Sequence, residues 1–211
     1  MNFNPKKIRE DVLAHLKLKD IPTNKALPTI DKWVFKSSVE VAQRIVILYA
    51  LTGLAHQADA TALNDWLSDG GLYSEIPDSE KAYFEKTLSS KEIVSLSWKQ
   101  EALFALCWSG SIIREIGLPH SECNLSYIFP HIPPEVGISD FLQTFNLRNE
   151  QQIAFQTDLH YCLHWTLRHP ECWGDSEGPS RLNKDVLIER RRAFEWVTKS
   201  SVQWEDVALD T

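Results

Sequence analysis

Four charged residues lie on helical stripes of apolar side chains and are the best candidates for chemistry: Arg44, Glu101, Asp158 and Arg190. A helical residue three, four or seven positions from large apolar residues shares their face, so each charge is expected to point inward. Because a lone buried ion is prohibitively costly, inward charges must be paired or must line a polar cleft. Two acids and two arginines balance, so the favoured interpretation is an arginine–carboxylate network that ties four helices together.

The alternative interpretation of the same residues is catalytic. In it, Glu101 and Asp158 act as acid and base in a cleft beside the cationic Arg44 and Arg190, as in a hydrolase. The signal is weak, because nothing in the sequence fixes the distance between carboxylates on separate helices. The chain also lacks a G-x-S-x-G elbow, a P-loop and a dinucleotide-binding glycine pattern. We therefore assign no catalytic residue unless the chain is an enzyme, and we predict no cofactor.

A metal site is conceivable at His160 and His164, whose spacing lets them share one helical face. The glutamate of an H-E-x-x-H motif is absent, and Asp158 points about 200° away from His160 around a helix. His169 and Cys172 follow closely, but partly exposed helix histidines are the favoured interpretation. The cysteines show no C-x-x-C spacing and are expected to be reduced and mostly buried. We therefore predict no bound metal.

The elements that must position these residues are predicted to be helices. Capping boxes are expected at Ser37 with Glu40 and at Ser97 with Gln100. The predicted helices cover about residues 5–18, 38–52, 63–67, 82–84, 97–114, a segment after 139, 149–168 and 183–199. The proline-rich stretch 117–137 is expected to be an irregular loop with a short extended element near Tyr127. The sequence thus predicts an all-α single domain of about eight helices, in which 1–35 form an N-terminal helix and an extended connection.

The composition is that of an ordinary soluble globular protein and narrows the class of function. The 211-residue chain is 43% hydrophobic and 24% charged, has a mean hydropathy of −0.28 and is rich in tryptophan, with eight. The sequence shows no run of about 18 apolar residues that would predict a membrane span. The N-terminus lacks the apolar core of a signal peptide, so a cytoplasmic location is expected. The 22 basic and 29 acidic residues give a net charge of −7. Because an acidic chain repels phosphate backbones, nucleic-acid binding is not expected, whereas an acidic surface is compatible with a basic protein partner.

Several blocks of the chain resemble, in order, the pattern of one family. Residues 36–44 resemble R-S-x-E-E-V-A-x-R, and residues 98–108 resemble W-R-x-E-A-L followed by L-L-W-A-L. Residues 158–165 resemble D-L-x-Y-R-x-H-W. Residues 182–211 resemble L-N-x-x-V-x-x-E-R-x-x-A-L-N-W-L closed by W-D-D-V-x-x-D-T. The chain is similar over about residues 36–211 to the bacterial family called domain of unknown function 4272. Cys162 stands where that pattern has Arg, and Ser109-Gly110 replace Ala-Leu. The resemblance implies a set of shared residues and no reaction.

The residues and the resemblance together favour a non-catalytic function. We expect a bacterial protein that acts by binding another protein, as an adaptor or an immunity-type factor does. The reason is the absence of motifs for catalysis, cofactors or nucleic acid from an acidic, helical chain. The alternative is a hydrolase that uses Glu101 and Asp158.

Overall fold

The computed structural model describes residues 4–174 and 177–210, and that part of the chain is helical. It holds nine α-helices and five short 3-10 helices, and an isolated β-bridge joins Val34 to Lys199. The all-α prediction is therefore confirmed. The α-helices are α1 (Pro5–Leu18), α2 (Ser38–Ala55), α3 (Ala60–Asp69), α4 (Asp78–Lys81), α5 (Ser90–Ser97), α6 (Lys99–Ser109), α7 (Ile138–Thr144), α8 (Glu150–Arg168) and α9 (Lys184–Val197).

The helices group into two compact units, each assembled from separate stretches of the chain. Unit 1 contains the described residues of 1–36, 117–122 and 148–211, and so it holds α1, α8 and α9. Unit 2 contains 37–116 and 123–147, and so it holds α2 to α7.

Unit 1 is built around apolar faces of α1, α8 and α9. The first helix begins at an Asn4 cap, whose side chain accepts hydrogen bonds from the backbone of the first turn, and Pro5 stands where no backbone donor is needed. Its buried stripe packs with residues of the other two helices: Ile8, Val12, Leu16, Ala154, Leu159, Leu163 and Leu187. After α9 the chain returns along the segment before α2, where the Ser200 N–H donates to the Val34 carbonyl. Residues of three helices therefore contribute to this core, and the tail is joined to the segment before α2 by a backbone hydrogen bond.

Unit 2 is organised around α2, which packs against α3, α5, α6 and α7. Its start is the predicted capping box, in which Ser37 and Glu40 each bond the other's backbone. The helix is long and apolar enough to cross a membrane by composition, with a mean hydropathy of 1.3, yet 67% of it is buried inside the protein. A buried core helix passes the same test, so α2 is weak evidence for a membrane span.

The second predicted capping box, at Ser97, is wrong. The Ser97 hydroxyl instead donates to the Val94 carbonyl at the end of α5, and the capping box that starts this helix is formed by Ser89 and Glu92. The predicted helix over 97–114 is thus two helices that meet at Trp98, and α6 ends at Ser109. The residue after Ser109 is Gly110, and a Cβ at this position would lie 2.1 Å from the Phe145 ring. The close approach of this ring therefore favours glycine at the end of α6.

The extended element predicted near Tyr127 is also wrong. This segment forms two 3-10 helices, Leu125–Tyr127 and Phe129–His131. The Asn124 side chain accepts a hydrogen bond from the Ser126 N–H, which turns the backbone locally. The consecutive apolar residues Tyr127, Ile128 and Phe129 therefore do not indicate a strand here, because a capping asparagine precedes them.

Candidate functional site

Asp158, one of the two predicted acids, forms a bidentate ion pair with Arg9 inside unit 1. Arg9 Nε donates to Asp158 Oδ2 at 2.8 Å, and Arg9 Nη2 donates to Oδ1 at 2.7 Å. Both residues are buried, at 5% and 2% exposure. Arg9 also donates to the carbonyls of Leu27 and Pro28, at 2.7 and 3.0 Å. The pair thus fastens α1, α8 and the connection before α2, and each of its charges is compensated.

Arg44, one of the two predicted arginines, forms the equivalent pair in unit 2 with Glu80. Its two terminal nitrogens donate to the two carboxylate oxygens at 2.6 and 2.5 Å, and both side chains are almost completely buried. This contact holds the four-residue helix α4 against the central helix α2. Arg44 and Asp158 therefore take these partners from outside the predicted set of four.

Glu101 and Arg190 are buried as predicted, at 0% and 2% exposure. Glu101 lies in the first turn of α6 in unit 2, where a carboxylate is favoured by the helix dipole, and it accepts a hydrogen bond of 2.6 Å from the Cys123 N–H. Arg190 lies on α9 in unit 1, close enough to His160 for its charge to lower the pKa of that histidine. Each predicted charge therefore lies in the interior of its unit.

The two histidines of α8 have separate roles. The His160 ring is fully buried, bonds the Gln156 carbonyl through Nδ1 at 2.8 Å and packs against Phe194. His164 Nδ1 instead accepts a hydrogen bond from Arg191. Burial lowers the pKa of His160 to about 3, and burial together with the Arg191 charge lowers the pKa of His164 to about 4. Both rings are therefore neutral at pH 7, and the described residues contain no cluster of three or more groups suited to a metal ion.

Arg191, which sequence reasoning did not select, lines a small polar cavity of about 210 Å³ in unit 1. It is 2% exposed and donates to the carbonyls of Leu209 and Asp210 as well as to His164. Among the described residues, the Glu195 carboxylate approaches it to 3.4 Å. The rest of the cavity wall comes from α8, α9, the connection before α2 and the tail: Pro28, Thr29, Ile30, Tyr161, Glu195, Lys199, Ala208 and Asp210.

Nucleophilic chemistry finds no support in the cysteines of the two cores. Cys107 and Cys162 are fully buried, and burial raises the pKa of both thiols, that of Cys162 to about 12. A thiol in that state is a poor nucleophile at neutral pH, because the thiolate is the reactive form.

Sequence reasoning missed Arg9 and Arg191 although the stripe rule applies to them, and it missed Glu80 because no periodic signal exists there. Arg9 lies three positions before Val12 and seven before Leu16, so the stripe rule that selected Asp158 also applies to it. Arg191 likewise lies on the buried face of α9. Glu80 carries no such signal, because α4 is too short to show a helical period. Buried charges in short elements are therefore outside the reach of periodicity.

The fold and the site define an all-α protein whose inward arginines and carboxylates form buried ion pairs. The model of one family, Domain of unknown function (DUF4272), matches residues 7–207, and the chain therefore belongs to that family. The match extends beyond the blocks at 36–211 and includes Arg9, the partner of Asp158. No curated protein and no solved structure matches the chain.

Proposed function

We propose that this chain is a non-catalytic protein that binds a basic protein partner through an acidic face of unit 2. The sequence supports this with the segment 57–80, which contains no lysine or arginine. Its acidic residues are Asp59, Asp65, Asp69, Glu75, Asp78 and Glu80. Glu80 is buried with Arg44, Asp59 caps α3, and Asp78 pairs with Lys81, so these three have structural partners.

The observation that carries the proposal is the placement of Asp65 and Asp69 on α3. Both are exposed, and they stand four positions apart on one helical face, where like charges destabilise a helix. Asp69 is also the last residue of α3, where the helix dipole disfavours a negative charge. Because both placements cost folding stability, they are expected where a function requires negative charge.

The buried pairs give further support to the non-catalytic part of the proposal. A general base must lie within hydrogen-bond reach of its substrate, whereas Asp158 is 2% exposed and both of its oxygens accept from Arg9 in the interior of unit 1. The hydrolase alternative would therefore require unit 1 to open at Asp158 to admit a substrate.

The test is affinity capture from native lysate with the intact chain and two matched variants. Asp65→Asn/Asp69→Asn removes two charges from the acidic face, and Glu10→Gln/Asp206→Asn removes two exposed charges from unit 1. We expect the wild type and the unit 1 variant to recover the same basic protein at near-stoichiometric yield, and the α3 variant to lose it. Elution should occur at moderate salt, because exposed charges are screened.

The stability of the α3 variant separates a binding role from misfolding. Removing the repulsion should leave its unfolding midpoint unchanged or raise it by a few tenths of a kcal/mol. Equal recovery by the α3 variant and the wild type, or repeated captures without a recurring partner, would overturn the proposal.

A further inference from the structure

The cavity beside Arg191 in unit 1 has an uneven distribution of charge. In its wall, Arg191 and Lys199 share one carboxylate: Glu195 Oε1 lies 3.4 Å from the buried Arg191, and Oε2 lies 2.6 Å from Lys199, whose side chain is 40% exposed. The other acceptors of Arg191 are two backbone carbonyls and His164, which are neutral. Arg191 and Lys199 therefore bring two positive charges to one carboxylate in this part of the wall.

Unused hydrogen-bonding capacity lies in the same wall. Arg191 Nε is buried and forms no hydrogen bond within the described part of the chain. Tyr161 and Lys199 line the same cavity, and a tyrosine hydroxyl and an ammonium group can each donate hydrogen bonds to a ligand. Burial lowers the pKa of Arg191, so its charged form gains from any further negative group.

The tail places the opposite charge at the outer edge of the cavity. Asp210 is exposed, and its carboxylate charge acts on Arg191. The hydrogen bond of 2.7 Å between the two residues runs from Arg191 to the backbone carbonyl of Asp210. Asp210 is therefore held at the cavity by its main chain, which leaves its carboxylate available to a ligand.

We propose that this cavity binds a small free α-amino acid. Lys199 and the Tyr161 hydroxyl donate to the ligand carboxylate in the positive field of Arg191, and the Asp210 carboxylate accepts from the ligand ammonium group. A volume of about 210 Å³ lies below the usual range for drug-sized ligands, so the side chain of the ligand is small.

The charges of the wall argue for a ligand that carries both signs. A simple anion would meet the exposed carboxylate of Asp210, and a simple cation would meet Arg191 and Lys199. An amino acid carries both charges and complements both parts of the wall. This inference concerns unit 1 and stands independently of the acidic face proposed for unit 2.

The test uses the intact chain with the proteinogenic amino acids, each as the free amino acid, the N-acetyl derivative and the amide. A ligand that binds the folded state raises the melting temperature, and titration calorimetry then gives its affinity. We expect at least one small free amino acid to bind and its two blocked forms to bind about tenfold more weakly or worse, which corresponds to about 1.4 kcal/mol for one lost ionic contact.

Variants at exposed positions avoid the risk of unfolding unit 1. Asp210→Asn should weaken binding of the free amino acid about tenfold, whereas Asp206→Asn, an exposed carboxylate four residues earlier in the tail, should have no effect. The inference would be overturned if no amino acid binds, if the N-acetyl form binds as well as the free one, or if the two tail variants behave alike.

Discussion

The Arg9–Asp158 pair should be coupled strongly enough to be measured by a double-mutant cycle. Breaking a buried ion pair by removing one partner costs about 3–5 kcal/mol, a large part of the stability of a typical domain. Asp158→Asn should lie near the lower end, because the amide oxygen still accepts from Arg9. Arg9→Met should lie near the upper end, because it strands the carboxylate and also removes the donor to the Leu27 and Pro28 carbonyls.

The double variant Arg9→Met/Asp158→Asn should recover part of this loss, because no charge is left buried without a partner. We expect it to be more stable than the sum of the single losses by about 2–3 kcal/mol. The assay is urea unfolding followed by far-UV circular dichroism and tryptophan fluorescence, with separate transitions fitted separately if the two units unfold apart.

A control on the same helix is Lys7→Met, which removes an exposed ion pair with Asp11 and should not measurably shift the midpoint. Strictly additive losses, or single variants that match the Lys7 control, would refute the structural role of the Arg9–Asp158 pair. They would also return Asp158 to consideration as a catalytic carboxylate.

Acid should destabilise the protein through its buried histidines. Because the pKa of His160 is about 3 in the folded state and near 6.5 when unfolded, the unfolded state takes up the proton first, and stability falls as pH drops below about 6.5. His164 acts in the same direction. His160→Gln should therefore remove only the contribution of His160 and reduce the slope of unfolding free energy against pH by about 1.4 kcal/mol per pH unit between pH 4 and 6. An unchanged slope would contradict the burial of this ring. Ser89→Ala should lower the free energy of unfolding in urea by about 1 kcal/mol, because it removes the cap of α5. Ser97→Ala should lower it clearly less. A larger loss for Ser97→Ala than for Ser89→Ala would support the capping box predicted at Ser97.

Local signals predicted the elements better than they predicted the contacts. The cap at Ser37 was found from sequence because the capping residue and its helix are neighbours in the chain. The stripe rule also identified Asp158 as an inward charge. Its partner could not be paired from sequence, since Arg9 lies 149 positions away and nothing local indicates which inward charges meet.

Two failures arose where local patterns compete. Ser97 is followed three positions later by Gln100 and resembles a cap, yet Ser89 with Glu92 starts the helix earlier. Around Tyr127, apolar residues follow one another as in a strand, but the asparagine before them turns the backbone. The acidic face was not predicted from the sequence, which gave only the net charge. The unfavourable position of Asp69 can be recognised only when the end of α3 is known.

Carbodiimide crosslinking of the captured complex tests the proposed function most directly, because the reagent joins carboxylates to lysines in contact without a spacer. The account predicts that partner lysines become linked to the exposed acids of the 57–80 segment, at Asp65, Asp69 or Glu75, and that high salt during the reaction suppresses these links. Links confined to acids of unit 1, such as Glu10 or Asp206, or a complex that yields no links to the 57–80 segment, would contradict it.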